Sequence, residues 1–201
     1  MKSYLNFFVR ILIMICFALL HVQVCAEQIE IDISHVSGRA YFNHDSHEPF
    51  EINPGRYNKI NHSRILTMQN GLLFMKLKPE IDLRMKEDTV LSLDSHELLH
   101  LRKGVAGVSA QVGVMISTPH AHITFSDATV VIKVNPVLSR ICVIKGSAIV
   151  THDHNPESIE LVDEQEVAVA GIEISSVYLR TDELRYAWYW VEPDKEPSMQ
   201  R

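Results

Sequence analysis

The sequence predicts an all-β protein, and three observations support this prediction. Strand-like segments recur at intervals of about ten residues, with turn residues between them. Several of these segments alternate apolar and polar residues, as half-buried strands do. No long amphipathic helical pattern occurs before residue 180. With 201 residues and no clear linker, the chain is expected to form a single domain of many short strands, either a sandwich or a flattened β-solenoid.

The first 26 residues are predicted to be a secretory signal peptide. Lys2 and Arg10 supply positive charge, an apolar run follows, and compact residues end at Ala26. The apolar run of about ten residues is shorter than the roughly twenty that span a bilayer. We therefore expect cleavage after Ala26, no stable membrane span afterwards, and a periplasmic or secreted protein. An uncleaved anchor is the first alternative, and a lipoprotein at Cys25 is a weaker one because Val24 precedes the cysteine.

Alternation and turn residues place the strands of the first hundred residues. Three isoleucines at every second position from Ile29 indicate a half-buried strand. Asn53-Pro54-Gly55 is a strong turn signal. Asn70-Gly71 favours a tight turn, so the strands on either side of it are predicted to pair as a hairpin. In order, strands are predicted at residues 28–33, 39–42, 50–52, 65–68, 72–77, 81–85, 89–93 and 105–116.

Residues 114–151 are predicted to form strand, turn, strand, turn and strand. Thr118-Pro119 lies near the start, Asp127 precedes the apolar run TVVIKV, and Lys145-Gly146 separates RICVI from SAIVT. These turn residues divide the most apolar part of the chain into strand-length pieces. Further strands are predicted at residues 158–162, 166–170 and 172–179.

The end of the chain departs from this pattern. Leu184, Trp188 and Val191 have helical spacing, so residues 181–191 are predicted to form a short helix that packs its aromatic side on the sheet. A partner-binding surface is the alternative use of these aromatic residues. The expected organisation is a signal peptide at 1–26, a β domain at 27–180, and a helix with a flexible tail at 181–201.

Net charge and cysteine content exclude some classes of function. The chain carries a formal net charge of −6, and loss of the two positive charges in residues 1–26 would leave −8. An acidic chain does not suit a nucleic-acid surface, so no nucleic-acid partner is expected. Cys142 alone remains after cleavage, which excludes an internal disulfide. Because it lies in an apolar run, we expect a buried, inert thiol, with an intermolecular bridge as the alternative.

The segment His96-Glu97-Leu98-Leu99-His100 matches the motif HExxH. In a helix this spacing puts both histidines on one face to bind zinc, and the glutamate activates a water molecule. The following sequence is strand-like and shows no obvious third ligand. A zinc-dependent metallopeptidase that uses His96 and His100 is therefore the competing enzymatic hypothesis, and it requires a helix at residues 94–103. Our main prediction is a strand there, with no catalytic residue and no cofactor.

His120 and His122 form a second candidate pair of metal ligands. On a strand, residues two apart point the same way and can share a metal. Asp127 follows at a distance similar to that of the first cupin motif, but no second cupin motif is visible. A metal-binding cupin-like protein is therefore kept as an alternative. The main prediction for these histidines, and for His152-Asp153-His154, is exposed polar positions.

Short motifs in a fixed order carry a resemblance to a known family. They are Gly104 after Leu101, Thr118-Pro119, Thr129 at the start of an apolar strand, Gly146 in a hairpin-like segment, and Gln165 before the last strand. From residue 34 to residue 170 the chain resembles the FecR domain, the periplasmic β-rich module of iron-uptake regulators and related envelope proteins. Ala128 and Glu164 replace glycines of the family pattern, so we expect different turn geometry at these two positions.

The resemblance implies a stand-alone periplasmic β-module in which the motif residues have structural roles. Regulatory members of the family carry a cytoplasmic anti-sigma segment before one membrane span, and often a signalling module after the domain. Neither segment is expected here, so direct contact with a sigma factor is not expected either. We predict a non-enzymatic interaction module, in envelope signalling, whose partner is an envelope protein or a cell-wall component.

Overall fold

The computed structural model describes residues 29–43, 48–55, 59–60, 63–77, 80–95, 97–155, 157–171 and 173–179. The predicted signal peptide and the predicted C-terminal helix lie outside these residues. The described chain forms sixteen strands: β1 (Ile29–Ser37), β2 (Ala40–Asn43), β3 (Phe50–Glu51), β4 (Lys59–Ile60), β5 (Ser63–Thr67), β6 (Leu72–Leu77), β7 (Ile81–Met85), β8 (Val90–Leu93), β9 (Leu98–Ala110), β10 (Val114–Ser117), β11 (Ala121–Val134), β12 (Leu138–His152), β13 (Ser158–Val162), β14 (Gln165–Ala170), β15 (Glu173–Ile174) and β16 (Tyr178–Leu179).

All sixteen strands belong to one hydrogen-bonded sheet, which the pairings divide into two half-sheets. The first half-sheet has the order β3-β2-β5-β8-β9-β10-β11-β12-β13. The second has the order β4-β1-β6-β7-β9-β11-β12-β14-β15, and β16 also pairs with β14. The prediction of an all-β fold is confirmed, since the described part of the chain is built of strands and turns.

Besides the connections β3–β4, β4–β5 and β9–β10, the described chain passes from one half-sheet to the other at seven places. β9, β11 and β12 run through both half-sheets, and four pairs of successive strands (β1–β2, β5–β6, β7–β8 and β13–β14) divide between them. Each of these seven crossings contains a residue with positive φ, a conformation that bends the backbone and that glycine, asparagine and aspartate adopt most readily. In chain order these residues are Gly38, Asn70, Asp88, Gly104, Asp127, Gly146 and Glu164.

β11 shows how a crossing works. Before the crossing Phe125 is buried, and after it Ala128 and Val130 are buried, so the inward positions change from odd to even numbers at Asp127. The pairing with β12 shifts register at the same place. One extra residue in a strand reverses which side chains face inward and bends the strand. The two half-sheets therefore both direct their apolar side chains into one shared core.

The crossings lie close to one another, which restricts their side chains. A Cβ atom on Gly146 would lie 2.6 Å from the backbone oxygen of Asp127, and a Cβ atom on Gly38 would lie 2.5 Å from that of Asn70. Both glycines also have positive φ, so steric space and backbone conformation each require glycine there. By contrast, nothing lies within 4 Å of a Cβ atom on Gly113, between β9 and β10.

Two turns predicted from the sequence are crossings instead. β5 and β6 do not form a hairpin around Asn70-Gly71, because β5 pairs with β2 and β8 while β6 pairs with β1 and β7. Lys145-Gly146 does not end a strand either, since both residues lie within β12. The predicted strand at residues 105–116 is divided between β9 and β10, which pair in parallel. Turn residues and crossing residues are of the same types, and sequence alone does not separate them.

Candidate functional site

A row of mainly polar side chains crosses the outer surface of the first half-sheet. Its members are directly opposite one another on eight neighbouring strands, from β2 to β13. Residues opposite one another on a sheet point to the same side, so the row forms one continuous surface. The members of this polar row are Asn43, Arg64, Ser92, His100, Ser117, His122, Thr151 and Ser158.

A cleft of about 740 Å³ lies over the β5–β10 part of the polar row. Strands β5, β8, β9 and β10 supply its walls, and the turn after β10 closes one end. The described residues that line this arginine cleft are Ser63, Arg64, Ser92, Asp94, His100, Leu101, Arg102, Ser117, Thr118 and Pro119. Its volume is within the range of pockets that bind small molecules.

Two arginines give the cleft its positive charge. Arg64 is half-buried, and its Nε atom is buried without a hydrogen-bond partner among the described residues. Arg102 is exposed. The hydroxyl groups of Ser92 on β8 and Ser117 on β10 also line the cleft and make no hydrogen bond within the described chain. The cleft therefore presents several donors that the protein itself does not use.

Asp94 and His100 are in polar contact at the cleft, with 2.9 Å between Asp94 Oδ2 and His100 Nε2. This contact holds the Asp94 carboxylate against the His100 ring. β9 begins at Leu98, so His100 belongs to a strand, and none of the described residues within 94–103 is helical. The helical spacing that the zinc-peptidase alternative requires is not formed there, while His96 itself lies outside the described residues.

Thr118 organises the turn between β10 and β11. Its Oγ1 atom accepts hydrogen bonds from the backbone N–H groups of His120 and Ala121 and from Ser139 Oγ, and donates to the Ala121 carbonyl. His120 Nδ1 lies 2.9 Å from the same Ser139 hydroxyl. Thr118 is buried, so this network satisfies groups that are out of reach of water. Pro119 follows it in the turn and contributes to the cleft.

The other motif residues lie at or beside crossings. Gly104 and Gly146 are the crossing residues of β9 and β12. The Thr129 hydroxyl lies 2.9 Å from that of Ser109, just after the crossing of β11. Gln165 begins β14, and its Oε1 accepts the N–H of Val162 across the β13–β14 turn. Glu164, where the family pattern has glycine, has a positive φ of 65°, a conformation that glycine adopts more easily.

The paired histidines do not converge on one point. His122 Nε2 lies 2.9 Å from Asp153 Oδ1, whereas the His120 ring contacts Ser139. His152 was expected to be exposed, but it is buried: its Nδ1 accepts the N–H of His154, because its position continues the inward alternation of β12. Within the described ranges, no three histidine, cysteine, aspartate or glutamate side chains are placed to hold a metal ion.

The face of the second half-sheet that points away from the shared core carries a different row. Its members again lie opposite one another on eight strands, from β1 to β16. Most are apolar or paired: the Arg84 guanidinium lies 5.1 Å from the centre of the Phe74 ring, and Cys142 is buried as predicted. The members of this closed row are His35, Phe74, Arg84, Gly107, Val131, Cys142, Glu166 and Tyr178.

A buried ion pair anchors one end of the closed row. Glu166 is fully buried, and its Oε1 accepts hydrogen bonds from Arg140 Nε at 2.7 Å and from the Tyr178 hydroxyl at 3.2 Å. Arg140 Nη2 lies 2.6 Å from the same oxygen. Burial raises the pKa of Tyr178, and the negative charge of Glu166 raises that pKa further. These contacts hold β12, β14 and β16 together.

Sequence reasoning missed Arg64, Arg102, Ser92 and Ser117 as site residues. Each is a common polar residue at an outward position of a strand, and such positions are ordinarily solvated. The available signal was their shared alternation, since each lies next to an apolar residue that points inward. Using that signal requires knowing which strands are neighbours, and the order β5-β8-β9-β10 does not follow the chain.

Comparison with known proteins identifies similar folds and no family. No family model matches the chain, and no curated protein matches it in sequence. Two crystal structures of a "putative anti-sigma factor" from Parabacteroides distasonis ATCC 8503 match with TM-scores of 0.53 and 0.52, at 14% and 15% sequence identity. Each match covers 62% of this chain and 63% of the other, so the shared part is less than two thirds of either protein. No helix long and apolar enough to cross a membrane occurs in the described part of this chain.

Proposed function

We propose that this chain is an exported, non-enzymatic binding module of the cell envelope whose partner is another protein. The observation that carries the proposal is the fold it shares with the two crystal structures of a protein named as an anti-sigma factor. Fold likeness at this identity is an analogy, because one fold serves many functions. The analogy agrees with the order of FecR-like motifs in the sequence.

The surface of the first half-sheet supports a binding role. Met115 and Ile149 are apolar side chains, 40% and 51% exposed, that both lie opposite Thr124 on the outer surface. Val162, 45% exposed, lies on β13, which pairs only with β12 among the described strands. Exposed apolar side chains beside polar ones are typical of protein interfaces. This surface therefore has the mixed apolar and polar composition that a protein partner can bind.

Export is tested with a reporter that works only outside the cytoplasm. β-Lactamase fused to the end of the full chain is expected to confer ampicillin resistance. The same fusion without residues 1–26 is the matched control and is expected to confer none. Equal resistance from both fusions, or none from either at equal expression, would contradict export by the N-terminal segment.

The partner is tested by photo-crosslinking in intact cells. A photoreactive amino acid at position 149, on the outer surface of the first half-sheet, is expected to give a discrete adduct with one envelope protein. Position 137 is the control, because Val137 is more exposed at 70% but lies in the turn between β11 and β12. The proposal predicts an adduct at 149 and none at 137. The same adducts at both positions, or none at 149, would argue against a partner on this surface.

The enzymatic alternative is tested by zinc content. Elemental analysis of the purified protein is expected to find no stoichiometric zinc, in the wild type or in the His96→Ala/His100→Ala double variant. Stoichiometric zinc that the double variant loses would contradict the non-enzymatic proposal. Peptidase assays would then replace the crosslinking experiment.

A further inference from the structure

We propose that the arginine cleft binds a small molecule through an oxyanion group, a phosphate or a carboxylate, that Arg64 and Arg102 hold. The cleft is a separate site from the surface around Ile149, and its ligand is a different one from the protein partner. The inference rests on the charge of the cleft, the unused donors in it and its volume.

The charge of the cleft is opposite to that of the whole chain. The chain carries a net charge of −6, whereas the described lining of the cleft contains two arginines and one acid. That acid, Asp94, is already paired with His100. Arg64 and Arg102 are therefore not neutralised by the described residues around them. A guanidinium group presents donors in a planar fork that matches carboxylate and phosphate oxygens.

The Nε atom of Arg64 points to a missing acceptor. It is buried and has no hydrogen-bond partner among the described residues. A buried donor without a partner is costly, and such groups in native proteins are usually satisfied by water or an ion. Arg64 is held in the polar row by Asn43 on one side and Ser92 on the other. Neither neighbour supplies the acceptor, so an external oxygen is the group that fits.

The size of the cleft and the serine hydroxyls indicate more than a bare ion. A volume of about 740 Å³ is in the range of sites for small organic molecules, and an inorganic oxyanion fills only part of it. Ser92 and Ser117 supply hydroxyl groups that can donate to or accept from the rest of the ligand. The ligand class is thus a small organic acid or a phosphate ester, and both use the same arginine chemistry.

The test uses inorganic phosphate and succinate as probes for the two sources of the oxyanion. Isothermal titration of the purified protein, at constant ionic strength set with potassium chloride, measures each dissociation constant. Arg64→Gln and Arg102→Gln each remove one charge and keep the Cβ and Cγ methylene groups of the side chain. Arg39→Gln is the matched control, because Arg39 is exposed and lies between β1 and β2, outside the lining of the cleft.

The proposal expects saturable binding of at least one probe. Loss of either cleft arginine is expected to raise the dissociation constant about tenfold or more, since a hydrogen bond to a charged group has been removed. Arg39→Gln should bind as the wild type does. Phosphate binding alone would assign a phosphate ester, and succinate binding alone would assign an organic acid.

The proposal would be overturned in two ways. The first is that neither probe binds above the chloride background. The second is that both cleft variants bind as tightly as the wild type. Arg102 is exposed, so Arg102→Gln is expected to fold normally and decides the matter if Arg64→Gln does not fold. Circular dichroism of each variant checks that the sheet is intact before the titration is interpreted.

Discussion

Each half-sheet carries a row of eight residues on the face away from the shared core, and the two rows differ in how their charged groups are bonded. In the polar row, Arg64 Nε and the hydroxyls of Ser92 and Ser117 have no hydrogen-bond partner within the described chain. In the closed row, Glu166 is fully buried and bonded to both Arg140 and Tyr178. The same sheet geometry thus supports an open surface with unused donors in the arginine cleft and, at one end of the closed row, a buried carboxylate bonded to Arg140 and Tyr178.

The difference indicates a division of roles between the half-sheets. A buried ion pair with all contacts made ties strands together and leaves nothing for a ligand. Unused donors weaken the folded state slightly and become favourable only when a ligand supplies acceptors. Changes in the closed row should therefore alter stability, and changes in the polar row should alter binding.

The largest expected effect comes from the ion pair of the closed row. Glu166→Leu leaves the Arg140 charge without its partner, so the free energy of unfolding should fall by about 3–5 kcal/mol. Urea unfolding followed by circular dichroism measures it. The matched control is Asp94→Asn in the polar row, which breaks a half-exposed pair with His100 and should cost less than about 1 kcal/mol.

A double variant separates the cost of the orphaned charge from the value of the pair. Arg140→Met/Glu166→Leu removes both charges and is expected to regain most of the stability that Glu166→Leu loses. If the double variant is as unstable as Glu166→Leu, the stability loss comes from the missing ion pair and not from the Arg140 charge that remains in the single variant. Equal costs for Glu166→Leu and Asp94→Asn would remove the proposed contrast between the rows.

The next effect tests the crossings that join the half-sheets. Gly146→Ala places a Cβ atom 2.6 Å from the Asp127 oxygen at a positive φ of 88°, and should destabilise the protein by about 2 kcal/mol or more. Gly113→Ala is the control, with open space around its Cβ, and should be neutral or slightly stabilising. Thermal unfolding compares the two. A neutral Gly146→Ala would show that the crossing tolerates a side chain.

A smaller effect is expected within the turn that closes the cleft. Thr118→Val keeps the shape of the side chain but removes the oxygen that serves His120, Ala121 and Ser139, which should cost about 1–2 kcal/mol. Thr151→Val, which loses only an exposed contact with Ser158, should change stability by less than about 0.5 kcal/mol. Urea unfolding of both variants measures the difference, and equal values would argue against an organising role for Thr118.

The smallest effect is a dependence on alkaline pH. The raised pKa of Tyr178 means that its phenol keeps its proton in the folded state to a higher pH than in the unfolded state. The protonated Tyr178 phenol therefore contributes to the stability of the folded state below about pH 10, and this contribution is lost as the pH rises through the pKa of Tyr178 in the folded state. Stability of the wild type should fall more steeply above pH 10 than that of Tyr178→Phe. Parallel curves from urea unfolding at pH 9 to 11 would contradict this.

The sequence was sufficient for the fold class because alternation is a local property. The isoleucines of β1 and the buried positions of β7 alternate as predicted, and their burial confirms the pattern. The order of the strands was not predictable in the same way. Asn70-Gly71 has the composition of a hairpin turn, yet it joins strands of different half-sheets, because distant pairing partners outweigh the local turn preference.

The cleft lay beyond sequence reasoning for a related reason. Arg64 and Arg102 are 38 positions apart in the chain, and the strand order brings both to one cleft. The histidine motifs suggested metal sites because their members are close in sequence. In the structure the His120 and His122 rings have separate partners, Ser139 and Asp153. In this sheet many neighbouring strands are not consecutive in the chain, so residues that are close in sequence need not be close in space.

The seven crossings have a consequence for how the molecule opens. β9, β11 and β12 each contribute to both half-sheets. Neither half-sheet can therefore unfold while the other keeps all of its strands. The described β-sheet should therefore behave as one foldon, with slow backbone amides that exchange hydrogen at a common rate. An oxyanion in the cleft would then slow exchange across the whole sheet, including strands it never touches.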